Sequence, residues 1–218
     1  MKSNTKFSKG EELANALSHL SGAMLAVAGS ILMICSSLIN GNALHVVATS
    51  VFGTTMIILY LSSTLTHILP EGRTKDAFFN FDRIAIYFLI AGTYTPITLL
   101  TLSGPLGWTL FGLEWGLAII GTIMIMTRPG DYNTGVNNYY LISYALMGWL
   151  ILIAIVPVVR ILPFMGWMWI LIGGLCYTLG IVFFKLTRFP YHHLVWHILV
   201  IAGSLSHFFA VYFFIIPG

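Results

Sequence analysis

Residues 189–218 read "FPYHHLVWHILVIAGSLSHFFAVYFFIIPG". From about residue 193 onward the stretch is apolar and long enough to cross a bilayer, which takes about 20 residues of helix. Histidines crowd its start, at His192, His193 and His197. Polar groups inside a membrane helix are costly and normally face partners within the protein. The stretch therefore predicts a membrane-spanning helix with a functional group in its first turns.

The whole chain has the composition of an integral membrane protein. Of its 218 residues, 58% are hydrophobic and only 8% are charged, whereas soluble domains carry about 25% charged residues. The net charge of +3 comes from dispersed lysines and arginines, which does not indicate a nucleic-acid partner. The composition excludes an ordinary soluble domain, and the partners it implies are membrane lipids.

Gly, Pro and charged residues divide the chain into seven apolar stretches of spanning length. Short connections such as "NGNA" and "SGPLG" make consecutive helices antiparallel neighbours. We predict an all-α fold, a seven-transmembrane helix bundle that forms one polytopic domain over residues 1–218 with a short cytoplasmic segment at about 1–16. The predicted spans are approximately 17–39, 43–69, 83–102, 107–126, 139–158, 162–184 and 193–216.

The lysines and arginines predict the orientation of the bundle. If the N-terminus is cytoplasmic, nine of the ten fall in segments on that side and only Arg160 lies outside. Cytoplasmic loops of membrane proteins carry such an excess. We therefore predict a multi-pass protein of the cell membrane with a cytoplasmic N-terminus and an outer C-terminus.

With these directions, polar residues from several spans fall at one depth near the cytoplasmic face. Ser63 and His67 are four residues apart at the end of the second span, so they share a helix face. Asp82 begins the third span, and His193 and His197 have the same spacing at the start of the seventh. This agreement in depth favours a shared binding site, although each motif alone is a weak signal.

A metal ion is the common partner that suits neutral imidazoles. Three histidines and a water form a recurrent open zinc site. We predict that His67, His193 and His197 hold Zn²⁺ and that Asp82 holds the fourth-position water as an orienting group or general base. Ser63 would hydrogen-bond that water or a substrate carbonyl. Read alone, Asp82 beside Arg83 would indicate an interfacial ion pair.

Two further sets of polar residues are not predicted to bind the metal directly. Glu12, Asn15 and His19 follow one stripe of the first span at the same depth, and we interpret His19 as a supporting or packing group. His207 lies ten residues beyond His197, about 15 Å along a helix axis. It cannot reach the same ion, so we predict a core hydrogen bond for it.

From about residue 11 to the end, the chain resembles the haemolysin III family, within the larger group of progestin and adiponectin receptor-like (PAQR) membrane proteins. The resemblance implies seven helices, a cytoplasmic N-terminus, zinc on three histidines near the inner face, and a water held by aspartate with a serine close by. The matching residues are Glu12, Asn15 and His19, Ser63 and His67, Asp82, and His193 and His197.

Three functions stay open at this point. The first is a zinc-dependent hydrolase of a lipid amide or ester, since the resemblance implies ceramidase-like activity in the larger group and membrane-lipid homeostasis in bacterial-type members. The second is a non-enzymatic membrane sensor or receptor with a structural zinc. The third is a pore-forming cytolysin, which the family name suggests but a permanently embedded chain fits poorly. The residues do not identify the substrate or the oligomeric state.

Overall fold

The computed structural model of the protein describes residues 7–132 and 136–216. This part of the chain is helical and contains no strand. Its helices form seven apolar stretches long enough to cross a membrane, which confirms the predicted fold class. The helices are α1 (Lys9–Asn40), α2 (Ala43–Ile68), α3 (Arg73–Pro96, extended by a π-helix, Ile97–Leu102), α4 (Gly104–Thr127), α5 (Asn138–Gly148), a 3₁₀ segment (Leu150–Ala154), α6 (Ile155–Ile161), α7 (Phe164–Lys185) and α8 (His192–Ala210, extended by a π-helix, Val211–Ile215).

Helix α1 begins well before the predicted span at 17–39, because its first turn is capped. The Ser8 hydroxyl accepts a hydrogen bond from the Glu11 amide, and the Glu11 carboxylate accepts one from the Ser8 amide. This reciprocal pair satisfies two amides that a helix start leaves free. The predicted segment at about 1–16 is thus helical from Lys9 onward, and its residues 1–6 lie outside the described residues.

Helix α3 also begins earlier than predicted, at Arg73 rather than at about residue 83. Its first turns are too polar to be counted as part of a membrane span, but they are held by the connection between α4 and α5. Asn80 exchanges hydrogen bonds with the backbone of Gly130, at 2.7 and 3.0 Å. Asp76 accepts one from the Tyr132 amide at 2.9 Å. The predicted span was the apolar part of a longer helix.

The fifth span, predicted as one helix at 139–158, is broken into α5, the 3₁₀ segment and α6. A break inside a membrane frees backbone groups that need partners. The Tyr94 hydroxyl of α3 supplies them, because it donates to the Gly148 carbonyl at 2.9 Å and accepts from the Ile151 amide at 2.7 Å. The break is therefore stabilised by a side chain that is remote in sequence.

Helix α3 is the centre of the bundle. In its most apolar stretch 72% of the residues are buried, against 17–44% for the other six spans. Small residues bring neighbouring helices close to it. At Gly121 of α4, a Cβ atom would lie 2.3 Å from the ring of Tyr87, which is fixed by a 2.6 Å hydrogen bond to Ser143 and by packing on Tyr144. This contact determines how closely α4 approaches α3.

We expect Gly121→Ala to destabilise the protein, because the Tyr87 ring has no room to move. Overpacking of this kind costs about 1–3 kcal/mol. Gly116→Ala on the same helix is the matched control, since nothing lies within 4 Å of its added Cβ. The unfolding midpoints of both variants in detergent test this. Equal midpoints would show that the α3–α4 contact tolerates the extra methyl group.

Candidate metal centre

Three histidines come together at the end of the bundle where α1 and α8 begin, here called the N-terminal end. His67 lies in the last turn of α2, and His193 and His197 lie in the first turns of α8. One ring nitrogen from each lies within 4.8 Å of the others. His67 and His197 are buried, and His193 is partly buried. One metal ion can therefore reach all three rings.

Helix α8 is brought to this position by its first residues. Tyr191 has a positive φ of 60° and ends the connection from α7. Its amide donates a hydrogen bond to the Glu11 carboxylate at 2.9 Å, which links the start of α8 to the start of α1. The i, i+4 spacing then turns His193 and His197 toward the end of α2.

The hydrogen bonds of His67 leave a ring nitrogen available for a metal ion. Its Nδ1 lies 2.6 Å from Glu12 Oε2, and because a carboxylate accepts, this nitrogen carries the proton. Glu12 Oε1 in turn accepts from Lys75 Nζ at 2.9 Å and from the Tyr132 hydroxyl at 2.8 Å. A carboxylate behind a histidine is the usual way to orient a ligand and raise its basicity.

The ring of His197 is held in the same way by α1. Its Nδ1 lies 3.1 Å from the Asn15 carbonyl and 3.0 Å from the Ser18 hydroxyl. A carbonyl only accepts, so Nδ1 carries the proton and Nε2 keeps its lone pair. Such nitrogens are what a metal ion requires. The donor set of neutral imidazoles thus fits a metal ion.

His19 packs on this group rather than joining the three nitrogens. Its ring lies parallel to that of His197, with the centroids 3.5 Å apart. Neither of its ring nitrogens has a hydrogen-bond partner within the described residues. Asn15 reaches His197 through its backbone oxygen, and its buried side-chain amide likewise has no partner among those residues.

Asp82 and Ser63 lie beside one another on the wall of a cavity that His19 also lines. The Asp82 carboxylate accepts a hydrogen bond from the Ser62 hydroxyl at 3.4 Å, so the serine before the predicted one also contacts Asp82. The ion pairs of the described residues do not include one between Asp82 and Arg83. The simple interfacial pair is therefore not observed.

Two cavities adjoin at Asp82. The first has a volume of about 140 Å³ and extends through mainly apolar side chains as far as His207 and Trp167. The second, of about 300 Å³, opens at the N-terminal end. Its polar lining includes His67, His193, Arg83, Tyr132 and Lys185, and Asp82, Ile86, Tyr144 and Trp196 line both cavities. A polar space thus continues into an apolar one beside the histidines.

The most remote predicted histidine lies deep in the first cavity. His207 Nε2 lies 3.2 Å from the Ile170 carbonyl of α7, so the predicted core hydrogen bond is present. Lys75, Tyr132, Ser18 and Ser62 also support the site but were not found from the sequence. Lys75 and Tyr132 lie outside the predicted spans, and the two serines each stand beside another polar residue of similar depth.

Comparison with known proteins agrees with this architecture. The fold and the histidine group define a multi-pass membrane protein with seven spans. The family model described as "Haemolysin-III related" matches residues 7–208, and the chain belongs to the haemolysin III family.

Individual relatives support the same family and its wider group. The chain is 41% identical to "Hemolysin-3" of Bacillus cereus, over 98% of this chain and 95% of that one. It is 38% identical to "Hemolysin-3 homolog" of Bacillus subtilis (strain 168), over 94% of each. It is 27% identical to "Monocyte to macrophage differentiation factor" of Homo sapiens, over 93% of this chain and 83% of that one. The last similarity supports the wider PAQR grouping.

We expect Glu12→Gln to weaken metal binding about 10–100-fold, the usual effect of losing a carboxylate behind a ligand histidine. Glu114→Gln on α4 is the matched control, because the Glu114 carboxylate has no hydrogen-bond partner among the described residues and lines neither cavity. Metal retained against a graded series of chelator concentrations, measured by elemental analysis of the purified protein, gives the comparison. Equal retention in both variants would show that Glu12 does not support the ligand.

Proposed function

We propose that this protein is a zinc-dependent intramembrane hydrolase that cleaves an amide or ester bond of a membrane lipid and thereby serves membrane-lipid homeostasis. The observation that carries the proposal is the position of Asp82, where an apolar and a polar cavity adjoin beside three histidines. A lipid has the same division, with an apolar chain on one side of its carbonyl and a polar group on the other.

The choice of zinc rests on the donor set. Three neutral imidazoles with an open fourth position are typical of catalytic zinc, whereas structural zinc sites usually have four protein ligands. His67, His193 and His197 would hold the ion, and Glu12, Asn15 and His19 would keep the rings in place. A bound zinc ion supplies a Lewis acid and allows water to act as a nucleophile near neutral pH.

Side chains where the two cavities adjoin would carry out the proton transfer and stabilise the developing charge. Asp82 would hold the attacking water and take its proton as general base. The Ser63 hydroxyl would donate a hydrogen bond to the carbonyl oxygen as negative charge develops on it. Water then adds to the carbonyl carbon, the bond to nitrogen or oxygen breaks, and the leaving group takes the proton. The products are a fatty acid and an amine or alcohol.

We also propose a single domain with its N-terminal end in the cytoplasm. Seven of the eight lysines and arginines in the described residues fall at that end or in its connections, which is the excess that cytoplasmic segments carry. The histidine group and the polar cavity would then lie near the cytoplasmic face.

We expect Asp82→Asn to lower turnover of lipid amides or esters about 10²–10⁴-fold, the range typical of a lost general base. We expect His193→Ala to lower turnover at least as far, because the ligand set for the metal is broken. Asp82→Asn should keep the metal, whereas His193→Ala should lose it. His45→Ala is the control, because His45 lies at the opposite end of α2 and its ring contacts Asn42 and none of the site residues among the hydrogen bonds of the described residues. Product release and metal content are measured on the same purified samples. Wild-type turnover in Asp82→Asn would contradict the proposed mechanism.

A membrane sensor with structural zinc is the second candidate, favoured by the bonds around Glu12. This carboxylate joins α1 to His67 of α2, to Lys75 of α3 and to Tyr132 in the connection between α4 and α5. A metal on His67 would extend that link to α8. Under this function, chelation lowers the unfolding midpoint while wild-type protein hydrolyses neither lipid amides nor esters. Rapid wild-type turnover that is lost in Asp82→Asn would exclude it.

The names of the two Bacillus relatives refer to haemolysis. The support for a pore-forming activity of this chain therefore comes from the names of these relatives. No feature of residues 7–132 and 136–216 favours it.

A further inference from the structure

Arg83 is a buried cation beside the second cavity. It follows Asp82 on α3, is 3% exposed and lines that cavity. Within the described part of the chain its guanidinium takes part in no ion pair. Nη1 donates to the Asn80 amide oxygen at 3.2 Å, and Nε has no partner there. A buried charge without a counter-ion is strongly unfavourable.

The groups that fix Arg83 in place do not neutralise it. Its guanidinium lies over the ring of Tyr140, 4.3 Å from the centroid, and 5.4 Å from that of Phe79. Asn80 is neutral, and the amide oxygen that receives the Arg83 bond also accepts from the Gly130 amide. These contacts orient the guanidinium, and most of its donors have no acceptor among the described residues.

The rest of the cavity wall adds positive charge. Lys185 lines it too, and its ammonium group donates to the neutral Asn138 amide. Asp82 is the single carboxylate among the described lining residues. Under the proposed function Asp82 would also serve the water at the histidines. The cavity therefore has more cationic groups than anionic ones, and an anion from outside would restore the balance.

We propose that the second cavity binds the anionic headgroup of a membrane lipid, and that Arg83 pairs with the oxygens of its phosphate or carboxylate. The guanidinium presents parallel donors that match both groups. The first cavity begins at Asp82 and is mainly apolar, so an amphiphile fills both spaces where a free anion fills only one. The inference that the bound lipid is the substrate rests on the proposed function. The inference that the cavity binds an anionic lipid does not depend on hydrolysis.

Binding of two lipids with identical acyl chains, phosphatidylglycerol and phosphatidylcholine, tests the site by native mass spectrometry of the full chain in neutral detergent. We expect the wild type to bind phosphatidylglycerol at least about fivefold more tightly, because a charge-assisted pair adds to chain burial. Arg83→Gln should reduce the preference below about twofold. Arg160→Gln is the matched control, since Arg160 is exposed and lines neither cavity.

Inorganic phosphate separates the two sources of the anion. If the ligand is a lipid, millimolar phosphate leaves phosphatidylglycerol bound to the wild type. Displacement at that concentration would show a site for the free anion and overturn the lipid part of the proposal. A wild type without preference, or an Arg83→Gln variant that retains it, would overturn the site itself.

Arg83→Lys provides a second variant if Arg83→Gln does not fold. It keeps the charge but loses the parallel donors, so we expect an intermediate preference at an unchanged unfolding midpoint. A preference equal to that of the wild type would contradict the guanidinium pairing. Because binding is measured without turnover, loss of headgroup preference with intact hydrolysis of a neutral lipid amide separates this proposal from the proposed function.

Discussion

A polar group inside a bilayer has to find its partner within the protein, because the lipid chains offer none. This constraint explains the most irregular parts of the bundle. Where the fifth span breaks, the Tyr94 hydroxyl pairs with both backbone groups at the break. Where α3 begins with polar turns, the connection after α4 supplies the partners. The same requirement accounts for the bonds among Glu12, His67 and Lys75 at the N-terminal end.

At that end the bonds connect residues that are far apart in sequence. Glu12 reaches His67, Lys75 and Tyr132, and the carbonyl of Asn15 reaches His197. The start of α1 therefore contacts α2, α3 and α8 and fixes their positions relative to one another. Local helix geometry places each histidine on a face, but these long-range contacts fix how the rings are turned. Without them the imidazoles would be close together yet free to rotate.

The contrast between local helix geometry and long-range contacts explains what could be predicted from the sequence. The seven spans follow from apolar length, and the grouping of His67, His193 and His197 follows from common depth and i, i+4 spacing. Neither signal fixes the rotation of one helix against another. The contact of Ser62 with Asp82 was therefore missed, since depth alone does not distinguish Ser62 from Ser63. Depth in the membrane also does not show that the Arg83 guanidinium lies over the ring of Tyr140.

Contacts made by connections were the least predictable. Tyr132 lies in a polar connection with no periodicity, and only the tertiary fold brings its hydroxyl to Glu12. The same is true of the early turns of α3, whose helical state depends on that connection. Hydropathy shows where a helix can cross lipid, and it gives no information on how far the helix continues beyond the apolar stretch.

The arrangement of charges around Asp82 also limits which lipids the proposed reaction could use. This carboxylate lines both cavities, and His67, His193 and Arg83 line the second. A headgroup paired with Arg83 and a chain in the apolar cavity would leave only a short piece of the molecule beside Asp82. The bond to be cleaved must therefore lie close to the anionic group. A lipid with a long neutral spacer between its headgroup and its carbonyl would place that carbonyl beyond the reach of Asp82 and Ser63.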